Sequence, residues 1–143
     1  MGFELRDHTA DVAVAATGES LEAVFGAVAD GLAAASCDEI PAENGERFSL
    51  SVTAENREAL LFDYLDELIY LRDVRAELPV DHRVDSITSS EAADGSAAWN
   101  LEASARGVPL AGVDAREVKA VTYSEMRLER TDGGWEAYVV FDV

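Results

Sequence analysis

Leu60-Leu61-Phe62-Asp63-Tyr64-Leu65-Asp66-Glu67-Leu68-Ile69-Tyr70-Leu71 is the stretch whose reading decides the fold. At about 100° per residue of helix, Leu60, Leu61, Phe62, Tyr64, Leu65, Leu68, Ile69 and Leu71 cover an arc of about 200°. A helix resting on a single surface needs an apolar stripe only ~100° wide. This helix, over 57–72 with Asn56 as its cap, therefore calls for cover on more than one side. A sheet on each of two faces supplies it, which makes a three-layer arrangement.

The flanking sequence furnishes the sheets. Residues 3–6 and 12–17 read as short strands, the second ended by Gly18. Ser20 is a helix N-cap with Glu22 in the first turn. The helix that follows, over 20–35, carries Leu21, Val24, Phe25, Val28 and Leu32 as one stripe. Its other faces are mostly Ala and Gly, so neighbours can approach from several directions. Residues 40–45 are a loop by their Pro, Asn and Gly content. Phe48, Leu50 and Val52 alternate with polar residues, a half-buried strand over 46–54. Strands over 81–89 and 98–106 flank a hairpin-like loop at 91–96, and His82 in Pro79-Val80-Asp81-His82 reads as a loop residue. Strands over 118–130 and 134–143 meet at Thr131-Asp132-Gly133-Gly134, where Asp-Gly marks a turn. The order β-β-α-β-α-β-β-β-β is an α+β fold, with two helices packed against or between β-sheets. The length of 143 residues suits one domain.

Composition narrows the function classes. There are 29 acidic against 11 basic residues and a formal net charge of −18. Such a field repels nucleic acid, so direct RNA or DNA binding is not expected. An acidic, lysine-poor surface fits a halophilic cytoplasm, where salt screens the self-repulsion. No apolar run approaches the ~18 residues of a membrane span, and no signal peptide pattern opens the chain. The lone Cys37 leaves no internal disulfide or cysteine-based zinc cluster. Walker, HExxH and Gly-rich phosphate motifs are absent.

Oxygen-bearing residues concentrate in Asp7-His8-Thr9-Ala10-Asp11-Val12 and in Val140-Phe141-Asp142-Val143. Hard divalent cations (Ca²⁺, Mg²⁺ or Mn²⁺) take carboxylate, carbonyl and water oxygens. Asp142 followed by a terminal carboxylate at Val143 offers several such atoms. By residue type alone, Asp11 equally ends a strand and Asp142 equally is a solvated edge acid. His8 is a ligand, a proton shuttle or, with no second His at ligand spacing, an orienting hydrogen-bond partner. Lys119, rare in this lysine-poor chain, either meets a phosphate or acidic partner or pairs with a surface carboxylate. Ser124 has no histidine base pattern near it in sequence.

DHTADV at 7–12, VKAVTYS at 118–124 and the closing Asp142-Val143 together resemble the archease family, small proteins that activate RtcB-type tRNA-splicing ligases. The resemblance runs from Phe3 to Val143, and the acidic composition suits a haloarchaeal-like member. It implies that Asp11, Asp142 and Val143 hold a divalent metal such as calcium, with Lys119 and His8 as weaker functional residues. It also implies a non-enzymatic accessory protein whose partner is the ligase, promoting its guanylylation and multiple turnover in tRNA splicing. The chain departs from many members at Ser124, where some carry His, and across 107–116, where Lys or His is common. The rival classes are a metal-dependent phosphoester hydrolase and a general protein chaperone or interaction module.

Overall fold

The structure, a computed structural model, describes residues 2–8, 11–42, 45–91 and 93–143; for Arg6, Asp7 and His8 the backbone alone is described. Parts of the expected loops at 40–45 and 91–96, and Thr9-Ala10 of the acidic N-terminal motif, lie outside the described residues. The elements run β1 (Phe3–His8), β2 (Asp11–Gly18), α1 (Leu21–Ser36), β3 (Glu46–Ala54), α2 (Arg57–Arg75), β4 (Glu77–Glu91), β5 (Ala97–Pro109), a short 3₁₀ turn (Leu110–Gly112), β6 (Ala120–Thr131) and β7 (Gly134–Asp142). The expected α+β order is thus observed.

Two antiparallel sheets, β1-β2-β7-β6 and β3-β5-β4, enclose the two helices. The wide arc of α2 is satisfied as its sequence requires. Leu60, Leu61, Tyr64, Leu65, Leu68 and Ile69 are all buried, with α2 packed on β6 of one sheet and on β3, β4 and β5 of the other. Both caps form: Ser20 Oγ accepts from the Ala23 amide at 3.0 Å and Asn56 Oδ1 from the Ala59 amide at 2.8 Å. Each satisfies an otherwise orphaned donor of the first turn.

The small side chains of α1 allow the close approach that its sequence suggests. A methyl added at Gly31 would sit 2.5 Å from Val14 Cγ1 and 3.3 Å from Phe3 Cδ2, whereas one at Gly26 would meet nothing closer than 3.9 Å. Alanine gains about 1 kcal/mol over glycine inside a helix, and overpacking a tight core costs about 1–3 kcal/mol. The balance therefore differs in sign at two positions five residues apart.

Two strands depart from the simple alternation. His82 is not a loop residue; it lies in β4 at a bulge, where register is lost between Val80 and Arg83 and Asp81 has φ 52°. Pro79, in the same strand, is tolerated because β4 is an edge strand. Arg47 holds the bulge, donating to Ser104 Oγ at 2.9 Å and to Asp81 Oδ2 at 2.7 Å. The bulge turns His82 inward, where Nε2–H donates to the Pro79 carbonyl at 3.1 Å and Nδ1 has no partner. Strand β6 begins at Ala120 rather than 118 and is interrupted by a bulge between Thr122 and Arg127. At its far end the Asp-Gly signal locates the turn, but the positive φ, 142°, falls on Gly134.

Two measurements test this packing. In denaturant unfolding at high salt, Gly31→Ala is expected to lose about 1–2 kcal/mol of stability and Gly26→Ala to gain up to about 1. Burial pushes the His82 pKa down to about 4 from the ordinary 6.5. Between those values the unfolded chain binds a proton that the folded chain does not, so stability falls as pH drops from 6.5 towards 4. Asp30, which accepts from the His82 amide at 3.1 Å, is raised by burial and opposes this lower in the range. His82→Gln is expected to remove about 3 kcal/mol of the pH 4–6.5 dependence, read from unfolding midpoints across pH.

Candidate functional site

The site begins with strand register. In the β2·β7 ladder Val12 faces Phe141, Val14 faces Val139 and Ala16 faces Ala137; all six are buried. Their faces turn towards the helices. The alternate residues of the same two strands point to the other face of the sheet, so Asp11 is placed directly opposite Asp142. Cross-strand partners have Cβ atoms roughly 4.5–5.5 Å apart. The row continues on both sides, His8 being the register partner of Asp11 and Ala120 that of Asp142. Segments near the two ends of the sequence thus meet in one row of the sheet.

Asp142 is exposed and Asp11 half-buried. The next row on that face, Ala13 opposite Val140, is buried, at 0% and 1% exposure. The carboxylates therefore stand at the edge of an apolar patch, where attraction for a cation is screened less than in open water. Val143 is half-buried and packs against the main core. The Asp142 carbonyl accepts the Lys119 amide at 2.8 Å, so one lone pair of that oxygen is engaged. The Lys119 side chain is exposed beside the tail. The side chain of His8 lies outside the description, so of this residue the structure gives the backbone position alone.

The donor chemistry fits a hard cation: two carboxylates on one face of the sheet, beside backbone carbonyls of the same row. Among the described residues there is no group of three or more His, Cys, Asp or Glu poised around one point. A half-open hollow of about 330 Å³ opens on the same sheet, with Ala15, Glu4, Tyr138 and Arg127 in its lining, but neither Asp11 nor Asp142 lines it.

Arg72 positions the strand beside the tail, and the sequence reading passed over it. This arginine is buried at the end of α2, and its Nη1 donates to the Val118 carbonyl at 2.6 Å. Arg116 anchors the same lead-in to α1, its guanidinium donating to the Ala35 carbonyl at 2.9 Å and its amide to the Ser36 carbonyl at 2.6 Å. An arginine inside a leucine-rich helix looks like a solvated end residue; nothing local in the sequence announces the carbonyl it reaches. Ser124 is exposed within the β6 bulge. Cys37 is buried and its thiol donates to the Glu39 carbonyl at 3.3 Å.

Fold and site together define a class: small α+β proteins with two helices held between two antiparallel sheets and an acidic pair where the second and last strands, β2 and β7, come together. The model of the archease protein family matches residues 3–143, and the chain belongs to that family. It is 33% identical to the archease of Methanosarcina mazei, covering 99% of this chain and 95% of the relative. It is 38% identical to the archease of Thermococcus gammatolerans, covering 99% and 98%. Among solved structures it is similar to Methanobacterium thermoautotrophicum protein 1598, with a TM-score of 0.78, 32% identity and 99% of each chain covered. A crystal structure described as an archease and possible chaperone from Thermotoga maritima has a TM-score of 0.61 at 20% identity, covering 96% of this chain and 94% of that one, and supports the fold alone. Among the described residues no helix is long and apolar enough to cross a membrane.

Replacing Arg72 by Met is expected to leave the Val118 carbonyl unpaired. The cost is about 1–3 kcal/mol of stability, and amide exchange at Lys119, measured by hydrogen exchange, should be faster than in the parent.

Proposed function

We propose that this chain is a non-enzymatic activator of an RtcB-type RNA ligase in tRNA splicing, promoting guanylylation of the ligase from GTP and its repeated turnover. Asp11, Asp142 and Val143 hold a divalent cation (Ca²⁺, Mg²⁺ or Mn²⁺), with Lys119 and His8 beside them. The observation that carries this reading is the register that sets Asp11 against Asp142. Membership of the archease family supports it. Like charges directly opposite in a sheet are destabilising, and a bound cation turns that cost into attraction. The cation supplies positive charge that helps position phosphate oxygens of GTP. The chain's own part is to hold two carboxylates on a stiff, exposed row that reaches into a partner's cleft, with the Lys119 ammonium available to a phosphate. Net negative charge favours approach to a basic RNA-binding cleft, although high salt damps the steering.

A phosphoester hydrolase would use the same carboxylates within a substrate pocket and beside a general base. The hollow on this sheet does not contain them, which favours the accessory role.

Guanylylation of the cognate ligase by GTP at high salt, with and without this protein, tests the reading. Wild type should stimulate it, and Asp11→Ala and Asp142→Ala should each abolish the stimulation. No stimulation by wild type sinks the function; stimulation surviving both substitutions removes the site. Asp142→Asn removes one of the two carboxylates, so its melting point should respond less to added cation than that of wild type. Ca²⁺ at 100 times its dissociation constant should stabilise wild type by about 2.7 kcal/mol and the variant far less.

A further inference from the structure

Four large apolar residues are exposed among the described ones, and three of them cluster about α2: Tyr70 at 58%, Val74 at 63% and Tyr123 at 56%. Helix α2 lies between the sheets near their edge strands β6 and β3, so the face turned away from both is uncovered. Asp63, Asp66, Glu67, Tyr70 and Val74 follow one another at helical spacing along that face. The bulge in β6 brings Tyr123 onto α2, where its ring stacks on Phe62 with centroids 4.0 Å apart and planes 5° apart. The stack is pinned yet more than half of Tyr123 stays in water.

Acids surround it. Asp63 and Glu55 are near enough to act electrostatically on the Tyr123 hydroxyl, and Asp66 and Glu55 act on Asp63. Partial burial, then these like charges, raise the Asp63 pKa, so the carboxylate sits where negative charge is costly. Among the described residues no ion pair neutralises Glu55, Asp63 or Asp66, although arginines elsewhere are paired, Arg47 with Asp81 and Arg75 with Glu77. An exposed aromatic face rimmed by unpaired carboxylates is complementary to a guanidinium, which stacks on the ring while donating to carboxylates.

We infer that the open face of α2, centred on the Tyr123–Phe62 stack and rimmed by Glu55, Asp63 and Asp66, is a docking surface for an arginine-bearing surface of a partner protein. The proposal rests on the ligase-activator reading in one respect: it takes that ligase as the partner. The surface is separate from Asp11 and Asp142. It supplies affinity, while the carboxylate row supplies stimulation.

The test measures binding of the purified cognate ligase by titration calorimetry at fixed high salt, alongside stimulation of guanylylation. The proteins compared include wild type, Tyr123→Ala, Asp63→Asn with Asp66→Asn, and Asp85→Asn with Glu102→Asn as a control of equal charge on the exposed face of β4 and β5. Thermal melts establish that each is folded, and Tyr123→Phe, which keeps the ring, should bind as wild type. Tyr123→Ala and the Asp63/Asp66 variant should each weaken binding about tenfold or more. The control should change it less than about twofold. At saturating protein the Tyr123→Ala variant should still stimulate, whereas Asp11→Ala should not. Wild-type affinity in both surface variants, with stimulation intact, overturns the docking surface and leaves the activator reading standing. Equal weakening by the control variant also overturns it, by reducing the effect to net charge. A wild type that neither binds nor stimulates the ligase overturns both readings.

Discussion

The register of β2 against β7 is the constraint on which the rest of the molecule depends. Val12, Val14 and Ala16 with Phe141, Val139 and Ala137 form the core face of two neighbouring strands. A slip of one residue would turn one strand's apolar set to the outside. The core therefore dictates that Asp11 and Asp142 meet. Their juxtaposition needs no recognition between the two acids, which repel; burial of the alternate residues imposes it. The position of the outer row is thus set by the packing of the inner one.

The helices contribute to the same row from beneath. Arg72 at the end of α2 donates to the Val118 carbonyl, and the next residue's amide donates to the Asp142 carbonyl. One covalent step thus separates the helix contact from the tail contact. Arg116 ties the segment to the end of α1. The tail is thereby held between β2 and the lead-in to β6, where a chain end would ordinarily fray. The bulge that follows moves Tyr123 onto Phe62 and away from plain strand geometry. The tail row and the α2 face are linked by β6, a route of backbone hydrogen bonds and packed rings.

Much of this architecture was legible in the sequence, for reasons that are local. The 200° apolar arc of α2 required cover on two sides, and the helix is packed against both sheets. Ser20 and Asn56 announced their helix starts, and Phe48-Leu50-Val52 announced β3 over 46–54, as observed. What was not legible is non-local. No pattern within β7 says that the last strand inserts between β2 and β6, and only that insertion brings Asp11 to Asp142. The bulges at Asp81-His82 and after Thr122 break alternation at residues whose types fit either geometry. Arg72 reads as a polar helix end until the carbonyl it serves is in place. His82 reads as a loop residue because local pattern cannot tell a proline-bearing edge strand from a break.

The acidic excess bears on the site in a way that counting charges does not reveal. In concentrated salt the Debye length falls to about 3 Å at 1 M, so most of the solvated carboxylates cease to interact. Asp11 and Asp142, on adjacent strands at the border of the buried Ala13–Val140 row, stand partly outside water's screening. The surface acids then act as a background that keeps the protein hydrated, and the paired acids stand out by position on a rigid sheet. The same distinction applies to Asp63, whose desolvation beside Tyr123 separates it from the acids around it. Position beside apolar surface therefore distinguishes Asp11, Asp142 and Asp63 from the solvated acids, which counting charges along the sequence cannot do.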